Sequence, residues 1–341
     1  MSAQATKVPE APELDLAPEL VPVRAAGLTK RYKEVLAVDR LDLAVPPGAV
    51  FGFLGPNGAG KTTTLRMLLG LIMPSAGSAL LFGRDPIRDG ARALAGVAGF
   101  VEAPRFYPYL SGQRNLEMMA ALDGSGRAGR RIEELLELVA LSGAAKQRVG
   151  GYSHGMGQRL GIAAALLREP RLLILDEPTT GLDPAGIRDM RELILRLSAE
   201  GITILLSSHQ LSEVQEICRE VAIIRRGRIV YAGAIAELRG GPDRAYRLQT
   251  SDNGRAAELI AAQGAAQLLA GEEGELRLSA SQQQVGELSL TLARAGIALY
   301  LLAPLQATLE DLFFALTEDG EGESAGQRAP DRANGLQEAA T

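Results

Sequence analysis

The residues Gly55-Pro56-Asn57-Gly58-Ala59-Gly60-Lys61-Thr62-Thr63 fit the pattern GxxxxGK[ST] between an apolar run, Val50 to Leu54, and a helix-like stretch, Thr64 to Leu71. That setting gives the pattern a mechanism. Glycines free backbone N–H groups to wrap phosphate, and the helix N-terminus that follows favours an anion. The chain is expected to bind a nucleoside triphosphate. Downstream, Leu172-Leu173-Ile174-Leu175 ends in Asp176-Glu177-Pro178. A parallel sheet presents the residues after its strands along one edge, which sets Asp176 beside the phosphate loop. One Asp plus Thr62 suffices for a magnesium ion that keeps several waters, and Glu177 is placed to take a proton from an attacking water. Alone, the Asp-Glu pair reads equally well as a capped strand end; the upstream loop decides for chemistry. Ser207-Ser208-His209 follows Ile202 to Leu206 at the same edge, which favours a γ-phosphate contact for His209 over an ordinary loop histidine.

A further candidate is Tyr152-Ser153-His154-Gly155-Met156-Gly157-Gln158-Arg159, which leads into the apolar helix Leu160 to Leu167. Ser153 reads as a helix N-cap. A cap and a phosphate site need the same exposed N–H groups and dipole, so the two readings are compatible.

Several elements must hold these residues. Short apolar runs alternate with helical patterns from Val23 to about Arg239, which is the pattern of one α/β domain. Its start pairs Val23 to Leu28 with Val35 to Val45; parallel strands follow at Val97 to Val101, Leu172 to Leu175 and Ile202 to Leu206, and a helical piece, Leu110 to Leu167, interrupts them. After Gly240-Gly241-Pro242, apolar runs at Tyr246 to Leu248, Ala266 to Leu269, Leu276 to Leu278 and Ile297 to Leu302 alternate with helices in the order of a ferredoxin-like split βαβ unit. Thr308 to Leu316 would add a last helix capped by Thr308. Residues 1–22 and 317–341 are poor in large apolar side chains and are expected to be disordered tails.

Composition narrows the function classes. A net charge of -5 and an aromatic share of 4% speak against a nucleic-acid partner. Cys218 is the single cysteine, so an internal disulfide or a cysteine-rich metal site is excluded and a reduced cytosol fits best. The longest uncharged apolar stretch, Ala295 to Leu309, contains Pro304 and falls short of the ~18 residues of a spanning helix. No signal-peptide pattern precedes the domain, and direct membrane insertion is not expected.

Taken in order, these motifs resemble the nucleotide-binding subunit of an ATP-binding cassette (ABC) transporter over roughly Val23 to Arg239. The resemblance makes Gly55 to Thr63 the Walker A loop, Leu172 to Glu177 Walker B, Ser153 to Met156 the signature, Thr180-Gly181-Leu182-Asp183 the D-loop and His209 the switch histidine. The implied fold is an α/β P-loop NTPase cassette, a RecA-like core with an antiparallel β-subdomain and an inserted α-helical subdomain at about 110–168. With the small C-terminal α+β domain, the expected division is 23–240 for the cassette and 245–316 for the accessory domain.

The resemblance also implies ATP and Mg2+ as ligands. Tyr32 would stack on adenine, and Gly55, Asn57, Gly58, Gly60, Lys61, Thr62 and Thr63 would hold the phosphates. Thr62 and Asp176 would hold the metal, with Glu177 and His209 in catalysis. Two cassettes would dimerise head to tail, so that Ser153, Gly155 and Asp183 of one complete the ATP site of the other. The second cassette is expected to be a second copy, or else a different cassette giving two non-equivalent sites. The other expected partner is a multispan membrane permease, which would hold the chain at the cytoplasmic face of the membrane.

Two departures stand out. Glu102 occupies the place where the family usually carries Gln, keeping an oxygen for magnesium or water but adding negative charge, and the signature reads Tyr152-Ser153-His154-Gly155-Met156. Both departures, and the small domain ending Thr308-Leu309-Glu310-Asp311-Leu312-Phe313, resemble bacterial exporters of the bacitracin- and daunorubicin-resistance type. Phe106-Tyr107-Pro108-Tyr109-Leu110 reads either as a permease groove or as a seam between core and helical insert. The rival readings are a soluble cassette ATPase acting on ribosomes or DNA, and a C-terminal domain that senses a small ligand.

Overall fold

A computed structural model describes residues 17–122, 129–238, 244–263, 266–269 and 275–305. The chain runs through β1 (Val23–Tyr32), β2 (Val35–Val45), β3 (Val50–Leu54), α1 (Lys61–Leu68), β4 (Ala76–Leu81), β5 (Val97–Phe100), α2 (Gly112–Leu122), α3 (Gly129–Leu138) and α4 (His154–Leu166). It continues through β6 (Leu172–Asp176), α5 (Pro184–Ala199), β7 (Thr203–Ser208), α6 (Leu211–Ile217), β8 (Glu220–Arg225), β9 (Arg228–Ala234) and α7 (Ile235–Leu238). A last group follows: β10 (Arg244–Thr250), α8 (Asn253–Gln263), β11 (Gln267–Leu269), β12 (Leu276–Ala280), α9 (Gln282–Arg294) and β13 (Leu299–Leu305).

Every residue of β3, β6 and β7 is buried, the mark of parallel strands covered on both faces. They lie in a six-stranded sheet of order β5-β6-β7-β3-β8-β9, parallel except for the antiparallel hairpin β8-β9. Each fully buried Leu or Ile of β6 contributes ~1.5–3 kcal/mol, so the strand that delivers Asp176 is firmly fixed. Because β6, β7 and β3 run side by side in the same direction, Glu177, His209 and the phosphate loop leave the sheet at one edge.

One side of the sheet packs against α1 and the three-stranded antiparallel sheet β2-β1-β4. The other carries the helical segment: Ile132, Leu135 and Leu136 of α3, Leu116 and Ala120 of α2, and Leu160, Ile162 and Leu166 of α4 share one core with Leu173 and Leu175 of β6. The helical segment is thus joined to the sheet through a shared core. α4 returns to the sheet, where Gly161 lies so close to Pro104 and Phe100 that a methyl group there would meet Pro104 Cγ at 2.5 Å.

The C-terminal group forms the sheet β11-β12-β10-β13 with antiparallel neighbours throughout. Counting its own strands, that order is second, third, first, fourth, as a ferredoxin-like unit requires. Ala256 and Ile260 of α8 and Leu288 and Leu292 of α9 fill a separate core with Tyr246, Leu248 and Leu278. Ser281 and Gln284 close a capping box at the start of α9.

Several boundaries differ from expectation. Pro18–Leu20 form a turn of 3-10 helix and Val21 is buried, so the ordered chain starts ahead of residue 23; Val21 packs, which is why this part of the expected tail is not free. β5 stops at Phe100, β7 runs on to Ser208, and Ile297 precedes β13 as a buried residue. The remainder of the N-terminal tail, the Thr308-capped helix and the tail 317–341 lie outside the described residues. Among the described residues no helix is long and apolar enough to cross a membrane.

Candidate functional site

The phosphate loop links β3 to α1. Gly55 N–H donates to the Ser208 carbonyl at 3.3 Å, Ala59 N–H to Pro56 at 3.1 Å, and Gly227 N–H to the Ala59 carbonyl at 2.9 Å, so the turn of the β8-β9 hairpin braces the loop. Asn57 and Gly58 are exposed at its tip. Gly60 precedes α1 with φ 111° and ψ 3°, and a Cβ there would lie 2.5 Å from the Ala37 carbonyl oxygen; only glycine fits. The first turn of α1, Lys61 to Thr63, presents N–H groups without intrahelical partners.

Lys61 is 5% exposed, and its ammonium donates to the carbonyls of Gly55 at 2.7 Å and Pro56 at 3.3 Å. It also lies 3.3 Å from Glu177 Oε1. Thr62 Oγ1 donates to Asp176 Oδ2 at 3.0 Å, so a hydroxyl and a carboxylate oxygen from two elements meet beside the loop. These are hard oxygen donors of the kind magnesium takes. The expected grouping of Lys61, Thr62, Asp176 and Glu177 is thus present.

Glu177 has φ 48°, which turns its side chain out of the strand direction toward the loop. Its Oε2 accepts from Thr180 Oγ1 at 2.9 Å and lies 3.1 Å from His209 Nδ1. An ionised carboxylate only accepts, so the contact is a hydrogen bond when Nδ1 carries the proton. Burial pushes the Glu177 carboxyl up, but the Thr180 hydroxyl and the charges of Lys61 and His209 outweigh it and hold the group below the usual carboxylate range. Ser208 presents His209: its hydroxyl accepts from Gln210 N–H at 3.0 Å and closes the turn after β7.

Ser153 caps α4, its hydroxyl accepting from Met156 N–H at 3.2 Å. Asp183 caps α5 in the same way, accepting from Gly186 N–H at 2.9 Å. The two caps belong to segments that touch. A methyl group on Gly155 would meet Leu182 at 3.2 Å, and one on Gly181 would meet the His154 ring at 3.2 Å. The segments expected as signature and D-loop therefore lie together, whereas the Ser153 hydroxyl bonds within its own helix. Tyr32, at the end of β1, is 44% exposed, with the Lys30 ammonium 5.0 Å from its ring centre.

Glu102 takes a position the sequence does not reveal. It follows β5 with φ 67°, and its carboxylate pairs with Arg66 at 2.6 Å. Arg66 sits on α1 one turn after Thr62, so the added negative charge is balanced by a guanidinium of the helix that follows the phosphate loop. Three more residues take places not read from the sequence: Ser207, Thr180 as a partner of Glu177, and Glu213. Glu213 is buried and accepts a very short hydrogen bond from Thr179, joining α6 to the loop after β6. Ser207 left one signal, a polar residue ending an otherwise apolar strand. Arg66 left none, because its partner is distant in sequence.

The model of the ABC transporter family, described as "ABC transporter", matches residues 38–180. The bacitracin transport ATP-binding protein BcrA of Enterococcus faecalis is 37% identical over 299 residues, 87% of this chain and 97% of that protein. The daunorubicin/doxorubicin resistance ATP-binding protein DrrA of Streptomyces peucetius is 36% identical over 312 residues, covering 86% and 92%. A solved ATP-binding subunit of an ABC transporter superposes with TM-score 0.58 at 30% identity, covering 64% of this chain and 91% of the other. With the phosphate loop, the two carboxylates and the histidine at one sheet edge, these similarities settle the family: the chain is an ATP-binding, ATP-hydrolysing subunit of the ABC transporters.

Proposed function

We propose that this subunit powers export of a drug, antibiotic, peptide or lipid through a separately encoded multispan permease. The observation that carries the reading is that relatives named for bacitracin transport and for daunorubicin/doxorubicin resistance match 86–87% of the chain. A likeness confined to the cassette would not reach that share. The names speak for transport and against a ribosome- or DNA-acting ATPase. ABC ATP-binding subunits pair with a permease and dimerise; here the second subunit is a second copy, and the pair sits at the cytoplasmic face of the membrane.

In this reading Tyr32 stacks on adenine, and the amides of Gly55 to Thr63 with Lys61 hold the phosphates. Thr62 and Asp176 hold the metal, which when bound neutralises charge on the phosphate oxygens. A triphosphate competes with Glu177 for the Lys61 ammonium. Glu177 then keeps Thr180 and His209, loses one of the charges that depress its proton affinity, and becomes the better base for the attacking water. Ser153, Gly155 and Asp183 face the nucleotide of the partner copy, and Glu102, released from Arg66, senses the site for the permease. Tyr107 and Tyr109, 47% and 63% exposed and packed edge to face at 5.7 Å, offer aromatic anchors for a permease helix. Phe106, half-buried against the helical core, forms the seam behind them.

The test is co-purification. Extracted with detergent from its native membranes, the tagged chain should bring down a multispan membrane protein whose presence raises its ATPase rate. Sedimentation with ribosomes, and no membrane partner, would defeat the reading.

A further inference from the structure

Ser207 is fully buried at the end of β7 and stands opposite Asp176 in the parallel register of β6 and β7. Its hydroxyl donates to Asp176 Oδ1 at 2.5 Å and accepts from Glu177 N–H at 3.0 Å. The same N–H lies 3.2 Å from the Ser207 carbonyl. A single hydroxyl thus bonds the residues that supply both carboxylates of the site.

Two consequences follow. With Oδ1 engaged, rotation of the Asp176 carboxylate is blocked and Oδ2 stays turned to Thr62 Oγ1, 3.0 Å away. Glu177 adopts φ 48°, a left-handed conformation that is strained for a residue with a side chain. The bond to its N–H pins the peptide unit at which this turn begins.

We propose that Ser207 is a positioning residue for ATP hydrolysis, setting the metal-facing oxygen of Asp176 and the backbone turn of Glu177 through one hydroxyl. This rests on the reading of Asp176 as metal ligand and Glu177 as base. Removing the hydroxyl leaves Glu177 N–H the Ser207 carbonyl, but leaves Asp176 Oδ1 without this donor. The larger loss therefore falls on the metal side.

The experiment uses the full chain as wild type, Ser207→Ala and Ser207→Thr. A non-hydrolysable ATP analogue is titrated in EDTA and in Mn2+, bound Mn2+ is counted by electron paramagnetic resonance, and kcat and KM are measured separately. Ser207→Ala should bind the analogue in EDTA as wild type does and lose roughly tenfold in Mn2+ affinity of the nucleotide complex. Its kcat should fall more than KM rises, and Ser207→Thr should recover part of both losses. Wild-type Mn2+ affinity and kcat in Ser207→Ala would overturn the proposal, as would equal loss of nucleotide in EDTA and in Mn2+, which marks a packing role. A wild-type protein indifferent to Mn2+ would overturn the Asp176 reading itself, and this proposal with it.

Discussion

Replacing Gly60 by alanine should destabilise the nucleotide-free protein far more than the same change at Gly58, although both glycines have positive φ in one loop. Gly60 has φ 111°, and its new methyl group would sit 2.5 Å from the Ala37 carbonyl of β2 and 3.3 Å from Ile224 Cδ1 and Val38 Cγ2. The conformation costs an alanine ~1–3 kcal/mol. The contact with backbone, which cannot swing aside as a flexible side chain can, adds ~1–3 kcal/mol. Gly58 has φ 79° and nothing within 4 Å of its Cβ, so only a conformational cost of ~1–2 kcal/mol applies. In thermal unfolding without nucleotide, the Gly60→Ala midpoint should fall on the order of 5–15 °C and the Gly58→Ala midpoint on the order of 2–5 °C. If ~2 kcal/mol of the strain is relieved by moving the loop, Gly60→Ala should also lose about 30-fold in ATP affinity. Equal midpoints, or a larger drop for Gly58→Ala, would show that the close approach of Gly60 to Ala37 carries no weight in stability.

Two further predictions concern charge. Thr180→Val removes a hydrogen bond that depresses the Glu177 carboxyl, so the Glu177 titration, followed by carboxyl NMR or by the acid limb of kcat/KM, should move to higher pH. The sign carries over to stability: ionised Glu177 stabilises the fold above the ordinary carboxylate range, that stability is lost as pH falls through its lowered native value, and the variant should lose less of it. Glu102→Gln breaks the pair with Arg66, of which Glu102 is 60% exposed, so stability should change by less than ~1 kcal/mol; with the permease present, transport should fall more than basal ATPase, and an unchanged export rate would count against a coupling role.

Much of the site is legible in the sequence because its strands are continuous apolar runs that stop abruptly at polar residues. Leu172 to Leu175 ending in Asp176, and Val50 to Leu54 ending in Gly55, state both the buried strand and the residue delivered at its edge. The C-terminal strand order is legible for a similar reason, since runs and helices alternate in a sequence that few sheets accommodate. Side-chain pairings are not legible. Ser207 bonds Asp176 because β6 and β7 lie in a particular register, and Arg66 reaches Glu102 because α1 passes the end of β5; neither fact is local. β4 is not legible because Ala-Gly-Ser-Ala carries little strand signal, and the packing of α4 on β5 depends on Gly161 meeting Phe100 and the following Pro104. The β8-β9 hairpin did leave a signal, Arg226-Gly227, both with positive φ, as a tight hairpin turn demands.

Whether Glu177 activates the water that attacks ATP held by the loop Gly55 to Thr63 is decided by the variant Glu177→Gln. The amide keeps the shape of the side chain and removes its basicity. Glu177→Gln should bind ATP with an affinity close to wild type, lose ATP hydrolysis, and accumulate as a dimer in the presence of ATP and Mg2+ because turnover no longer reopens it. Hydrolysis near the wild-type rate in this variant would remove Glu177 from the role of base.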